Sequence, residues 1–290
     1  MIGSAAVVGS AGAMGRMLVE GLAGSGIAVR SIDVADGTGD ICAPSPELTD
    51  ALRGSDLVIL ALPEVVALGA IGTIDEYLRK GSLLVDTLSV KSEICDRLQT
   101  LRDLESVSIN PLFAPSLGMR GGTVAVIRIN AGPKAARFEQ LMRSWGLRQE
   151  VMSAKEHDAV AGLTQAATHA AVLAVAGVMS ASGLSADQIL RCAPPPHRLL
   201  LSLAARISAA APEVYFDIQA ENPMASEARS SIIDNVADLD GLADTRNLPE
   251  FTRRLESFST WLGVHHTELA ELAHRACDLA QAGDRTELSD

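Results

Sequence analysis

Apolar positions in the first half of the chain fall in short runs separated by stretches of helical spacing. Ala5 to Val8, Ile27 to Asp33, Asp56 to Leu62, Leu83 to Asp86, Val107 to Asn110 and Thr123 to Ile127 read as strands. Met14 to Ala23, Val65 to Leu78, Lys91 to Leu101 and Ala135 to Trp145 read as helices. This alternation predicts an α/β domain, a doubly wound parallel sheet of about seven or eight strands covered by helices. From Ser153 onward the strand signals stop and Ala-rich helical patterns follow with no flexible linker. The chain therefore divides into an α/β domain over residues 1–152 and an all-α domain over 153–290.

The second half opens with a helix over Ala154 to Ser182, too long for an ordinary surface helix and expected to form a spine and to pack against a second subunit. Its apolar part, Leu163 to Leu184, has the length of a membrane span but carries Gln165, Thr168 and His169, so a core or interface helix is the expectation. The run from Ala193 to Pro196 breaks the helical pattern. Further helices are expected over Arg198 to Ala210, Ala225 to Leu242, Pro249 to Leu262 and Val264 to Ala282, with a frayed end from Gly283 to Asp290.

The first strand runs into Gly9-Ser10-Ala11-Gly12-Ala13-Met14-Gly15 and then a helix. Glycines there permit a tight turn, a close approach of backbone to a pyrophosphate and close packing of helix on strand. The helix N-terminus adds free amides and a positive dipole end. The motif is a GxxGxxG variant on Gly9, Gly12 and Gly15, with Ser10 where a strict GxGxxG has its first glycine. The second strand ends in Asp33, about twenty residues on, where a carboxylate can bind the adenosine ribose hydroxyls. Together these predict a Rossmann domain, with Leu62 and Pro63 after the third strand completing the cofactor-binding set. No Arg or Lys follows Asp33 until Arg53, so NAD is favoured over NADP.

Composition narrows the partners. The net charge of -12 disfavours nucleic acid, which is bound through Lys and Arg, and an aromatic content of 3% disfavours stacking platforms. Cys42, Cys95, Cys192 and Cys277 form no CxxC pair, so neither a disulfide framework nor a zinc site is indicated and a reducing cytoplasm is the expected home. No membrane partner is expected.

Several segments resemble, in order and over nearly the whole chain, those of the prephenate dehydrogenase family. They are Gly12-Ala13-Met14-Gly15-Arg16, Asp86 to Lys91, Asn110 to Pro115, Glu156-His157-Asp158, Gln165 to His169 and Tyr215 to Ile218. The resemblance implies NAD-dependent oxidative decarboxylation of a small dicarboxylate, and a homodimer. It makes Ser89 and Asn110 the residues at the substrate's C4 substituent, and Gln165, His169, Arg229, Arg120 and His197 candidate substrate-binding residues. Ser89 also suits the N-cap of a helix beginning at Val90. Lys91 could add positive charge, although a lysine in a first helical turn is usually solvated. His157, Gln165, Thr168 and His169 share one helical stripe at 100° per residue. For His157 a buried, satisfied histidine is the plainer reading.

Two positions depart from the family. Where it normally has a histidine that takes the C4 hydroxyl proton, this chain has Asn110, held in register by Pro111 and Phe113. Where many members place an arginine for a substrate carboxylate, it has Met224, with Arg229, Arg120 or Arg198 as replacements. An amide cannot take up a proton, and losing a general base costs about 10²- to 10⁴-fold in rate. A C4 amine needs no such base, since its nitrogen lone pair drives hydride loss. The sequence therefore leans toward 4-amino-4-deoxyprephenate, giving 4-aminophenylpyruvate, over prephenate or arogenate. A β-hydroxyacid dehydrogenase, lacking here the family's lysine inside the long helix, and a non-catalytic NAD(H) sensor are the rival readings.

Overall fold

Seven strands form one sheet in the order β2-β1-β3-β4-β5-β6-β7. They are β1 (Ser4–Val8), β2 (Ala28–Ile32), β3 (Leu57–Leu60), β4 (Leu83–Asp86), β5 (Glu105–Pro111), β6 (Thr123–Asn130) and β7 (Arg148–Val151). Helices α1 (Ala13–Gly24), α2 (Pro46–Arg53), α3 (Glu64–Tyr77), α4 (Ser92–Thr100), α5 (Pro133–Ser144) and α6 (Ala154–Ala161) complete this unit. The computed structural model describes residues 1–37 and 39–286, which fall into two units that divide between Ala161 and Gly162.

The strand alternation sorts the core into two layers. Ala6, Val8, Val58, Leu60 and Leu84 point to one face and pack with Leu48, Leu52, Ile74, Ile94 and Leu98 of α2, α3 and α4. Ala5, Val7, Leu57, Ile59 and Val85 point to the other and pack with Leu18, Leu22, Phe138 and Met142 of α1 and α5. Strands buried on both faces read as unbroken apolar runs, which is why β1, β3 and β4 are plain in the sequence. The sheet is not wholly parallel, as the sequence suggested. β6 pairs antiparallel with β5 because an irregular segment, including a 3-10 turn at Pro115–Leu117, joins them in place of a crossover helix. β7 then runs parallel to β6.

The described residues from Gly162 onward form only helical elements: a π-helical segment (Gly162–Ala167), α7 (Thr168–Ala181), α8 (Ala186–Cys192), α9 (Pro195–Ser208), α10 (Pro212–Ala220), α11 (Ala225–Asp244), α12 (Leu248–Leu262) and α13 (His265–Thr286). The proline run ends α8 and also begins α9, with Pro195 and Pro196 in its first turn where a missing amide hydrogen costs nothing. The expected fraying from Gly283 is not seen as far as Thr286, and the rest of that segment lies outside the described residues. Buried apolar residues of this unit are few: Ala166, Ile218 and Ala225 form its one core cluster among the described residues. Phe216, Ile233, Val236, Phe258 and Trp261 are exposed. Ala154–Ala181, which holds an 18-residue window of mean hydropathy 1.5, is long and apolar enough to cross a membrane, a property shared by core helices of soluble proteins.

Candidate active site

In Met1–Ala161 the strand order reverses beside β1, with β2 on one side and β3 on the other, and a ligand crevice opens at such a switch point. The glycine turn lies there. Gly9 has φ +86°, and a Cβ on it would fall 2.0 Å from the Ala61 carbonyl oxygen. A Cβ on Gly15 would fall 2.1 Å from the Gly9 carbonyl oxygen, so both glycines are required by the turn itself. Gly12 differs: its φ is ordinary, and the nearest atom to an added Cβ is the Gly9 oxygen at 3.3 Å. The space beyond Gly12 is open, as a backbone that receives a pyrophosphate needs. Gly12 is the N-cap of α1, which has no side-chain cap and no acidic residue in its first turn, leaving its amide end for an anion.

Asp33 follows β2 and closes the turn from the other side. Its carboxylate accepts from the Ala11 amide at 2.9 Å and the Ala35 amide at 2.9 Å, while Arg16 donates to the Ala11 carbonyl. Ser10 is buried, and Ala11, Ala13 and Met14 are partly or fully accessible along the turn. Leu62 packs beside Gly9, and Pro63 is the N-cap of α3. The expected cofactor residues thus assemble around one turn, and they fit a dinucleotide.

Ser89 and Asn110 sit at the carboxyl ends of the neighbouring strands β4 and β5. Ser89 is half-buried and is not the N-cap: α4 begins at Ser92. Its cap comes from Asp158 of α6, whose carboxylate accepts from the Lys91 amide at 2.9 Å, the Ser92 amide at 2.9 Å and the Ser92 hydroxyl. Asp158 also meets His157 Nδ1 at 2.9 Å, and His157 Nε2 lies 3.0 Å from Asn110 Nδ2. Burial alone would raise the Asp158 carboxyl, but the hydrogen bonds from His157, Ser92 and the two amides outweigh it and hold the group below the usual carboxylate range. This buried line, Asp158 to His157 to Asn110, ties α6 to the end of β5.

Lys91 is not solvated. It is wholly buried, donating from Nζ to Asp86 Oδ1 at 2.8 Å and to the Ile109 carbonyl at 2.7 Å. It fixes the backbone just before Asn110 and offers no free charge. Arg120 is exposed in the segment joining β5 to β6, beside Gly146 at the start of β7's approach.

In Gly162–Asp290 a second polar group surrounds the π-helical segment, a feature often found at functional sites. Gln165 Oε1 is buried with no partner among the described residues, and so is His169 Nδ1. The His169 ring stands edge-on to Tyr215 at 4.7 Å. Burial, then the Arg206 cation, pushes its imidazole below the ordinary range. Arg229 donates from Nη1 to the Gln219 carbonyl at 2.8 Å and to its Oε1 at 2.9 Å, and Gln219 Nε2 donates to the Ala166 carbonyl at 2.8 Å. Gln165, His169 and Arg229 are thus brought to one region. His197 lies half-buried in the first turn of α9, and no side-chain hydrogen bond or ring contact joins it to them among the described residues. Arg198 is engaged with the Leu190 carbonyl at 2.8 Å. Within the expected stripe, the π-helical segment Gly162–Ala167 lies between His157 and His169. Sequence reasoning missed Asp158, Arg206 and Tyr215. Only Tyr215 and Asp158 had left a signal, as members of the motifs quoted above.

A glycine turn at the switch point of a mostly parallel sheet, with Ser89 and Asn110 at the carboxyl ends of the next strands, defines a dinucleotide-binding oxidoreductase domain. Residues 153–257 match the prephenate dehydrogenase dimerization domain. The chain is 40% identical over 285 residues to the 4-amino-4-deoxyprephenate dehydrogenase of Streptomyces pristinaespiralis, covering 95% of this chain and 96% of that one. It is 26% identical to the T-protein of Enterobacter agglomerans over 89% of this chain and 67% of that one. Among solved structures, the prephenate dehydrogenase of A. aeolicus with hydroxyphenyl propionate and NAD+ superposes with a TM-score of 0.70 at 17% identity, over 90% of this chain and 97% of that one. The chain belongs to the prephenate dehydrogenase family, whose members are NAD-dependent oxidoreductases.

Proposed function

We propose that this protein oxidatively decarboxylates 4-amino-4-deoxyprephenate with NAD, releasing 4-aminophenylpyruvate, CO2 and NADH. The observation that carries the choice of substrate is Asn110, buried at the end of β5 and hydrogen-bonded to His157, where the family resemblance leads one to expect a histidine. The relative from S. pristinaespiralis, similar over nearly its whole length, is itself a 4-amino-4-deoxyprephenate dehydrogenase.

When bound, NAD supplies the hydride acceptor. The C4 substituent must feed electrons into the ring as C4 loses hydride, and those electrons return to it when the carboxylate at C1 leaves as CO2 and the ring becomes aromatic. Oxygen does this well only if a base draws off its proton. Nitrogen is the stronger donor and needs no base, so an amide that orients the amine suffices. Ser89, half-buried and with no protein hydrogen bond among the described residues, is the second group for the C4 substituent. Gly9 through Gly15, Asp33, Leu62 and Pro63 hold the dinucleotide. Gln165, His169 and Arg229 bind substrate, the buried unpaired Gln165 Oε1 and His169 Nδ1 being groups that a polar ligand would satisfy. Arg120 and His197 remain further substrate-binding residues in this reading. The exposed apolar helix faces of the second unit and its match to a dimerization domain support a homodimer, and four free cysteines suit a reducing cytoplasm.

The test is NADH formation at 340 nm with 4-amino-4-deoxyprephenate, prephenate and arogenate. The amino substrate is expected to give the highest kcat/KM. Faster turnover of prephenate or arogenate overturns the choice of substrate, and no turnover of any of the three overturns the enzymatic reading.

A further inference from the structure

We infer that His157 is a positioning residue that fixes which end of the Asn110 amide the substrate meets, and thereby sets the preference between an amine and a hydroxyl at C4. The inference rests on the function proposed above. An asparagine offers two chemically opposite ends of nearly the same shape, and a site that uses one must prevent the other from rotating in. The described contacts leave one choice. Asp158 is a carboxylate kept ionised by its hydrogen bonds, so the ring nitrogen facing it, Nδ1 at 2.9 Å, carries a proton. The atom 3.0 Å from Nε2 is Asn110 Nδ2, which can only donate, so Nε2 meets it with its lone pair.

The ring and its partners are wholly enclosed: His157 and Asp158 have side-chain exposures of 2% and 2%, and Asn110 is 3% exposed. Reversing the amide would set a carbonyl oxygen against a lone pair with no water to soften the clash. The amide NH2 is therefore committed inward. Its Oδ1 receives no protein hydrogen bond among the described residues and is the end left for a ligand. An outward acceptor suits a C4 amine, whose N–H it can hold while the nitrogen lone pair stays free to drive hydride loss. It holds a hydroxyl equally well in geometry but cannot take its proton. The selectivity is thus built behind the residue that touches the substrate, by a tautomer set two residues away from it.

His157→Phe and His157→Ala remove the acceptor, whereas His157→Gln can keep one toward Asn110 and a donor toward Asp158. Each is made in the full-length protein and in an Asn110→Ala background, with kcat and KM measured for the 4-amino substrate and for prephenate and folding checked by thermal melting. The expected result is a fall of about tenfold or more in the amine-to-hydroxyl ratio of kcat/KM for the Phe and Ala variants, equivalent to one lost interaction near 1.4 kcal/mol. The fall should appear mainly in kcat, be largely rescued by Gln, and vanish in the Asn110→Ala background. Equal losses on both substrates, or a loss that persists without Asn110, overturn the inference. If the wild type proves to prefer the hydroxyl substrate, the proposed substrate falls, yet coupling of His157 to Asn110 can still be read from the same double-mutant cycle on that substrate.

Discussion

Lys91→Met should be among the most destabilising substitutions in the first unit. The Lys91 side chain and its partner Asp86 are both 0% exposed, and Nζ makes two short bonds, to Asp86 Oδ1 at 2.8 Å and the Ile109 carbonyl at 2.7 Å. Asp86 Oδ2 already lacks a partner, and Oδ1 would keep only the Leu88 amide at 3.1 Å. A buried carboxylate stripped of its cation costs about 3–5 kcal/mol, a large part of the roughly 5–15 kcal/mol that holds a domain folded. The assay is urea unfolding followed by Trp145 fluorescence in a Trp261→Phe background, since Trp145 packs edge-on against Phe138 at 6.2 Å in the sheet's own core. A neutral double variant, Asp86→Asn with Lys91→Met, should recover more than half of the loss, because the penalty lies in the stranded charge and not in the missing pair. A cost below about 1 kcal/mol for Lys91→Met, or a double variant no better than the single, would refute this reasoning.

Two further outcomes follow from the same geometry. Burial alone would raise the Asp56 carboxyl, but the Gly3 amide and the Lys134 ammonium outweigh it and hold it at about 2. Its folded value lies below the unfolded one, so its stabilisation is present at neutral pH and lost as pH falls from about 4 toward 2. Asp56→Asn should cost on the order of 2 kcal/mol at pH 7, and that difference should close near pH 2 in acid-unfolding curves. At the glycine turn, Gly15→Ala should compromise folding, since its Cβ meets backbone at 2.1 Å, whereas Gly12→Ala should leave the unliganded melting temperature nearly unchanged and weaken NAD binding by about tenfold or more in a titration.

What the sequence made legible divides along physical lines. β1 and β4 stand out because every residue but Ser4 is buried, and the glycine turn because its backbone demands are met by one residue type. β7 was not read as a strand, because Arg148 to Val151 lies at the sheet's edge, exposed or half-exposed, with no apolar alternation to betray it. The direction of β6 left no trace, since residue periodicity is the same for parallel and antiparallel neighbours. Asn110 was found from Pro111 and Phe113, but the meaning of His157 was not. The buried-histidine reading was correct as far as it went; that it is satisfied by Asn110, 47 positions away, is a fact of folding alone. Lys91 was misjudged for the same reason, its carboxylate partner being near in sequence while the strand that buries it is not.

The central claim concerns the residue at position 110, and Asn110→His tests it most directly. With NAD and saturable concentrations of each substrate, kcat/KM is measured for 4-amino-4-deoxyprephenate and for prephenate in wild type and variant. Supplying an imidazole that can take the C4 hydroxyl proton should raise prephenate turnover and lower the amine-to-hydroxyl ratio by about a hundredfold. A ratio unchanged by the substitution, in a variant that folds and binds NAD normally, would contradict the account.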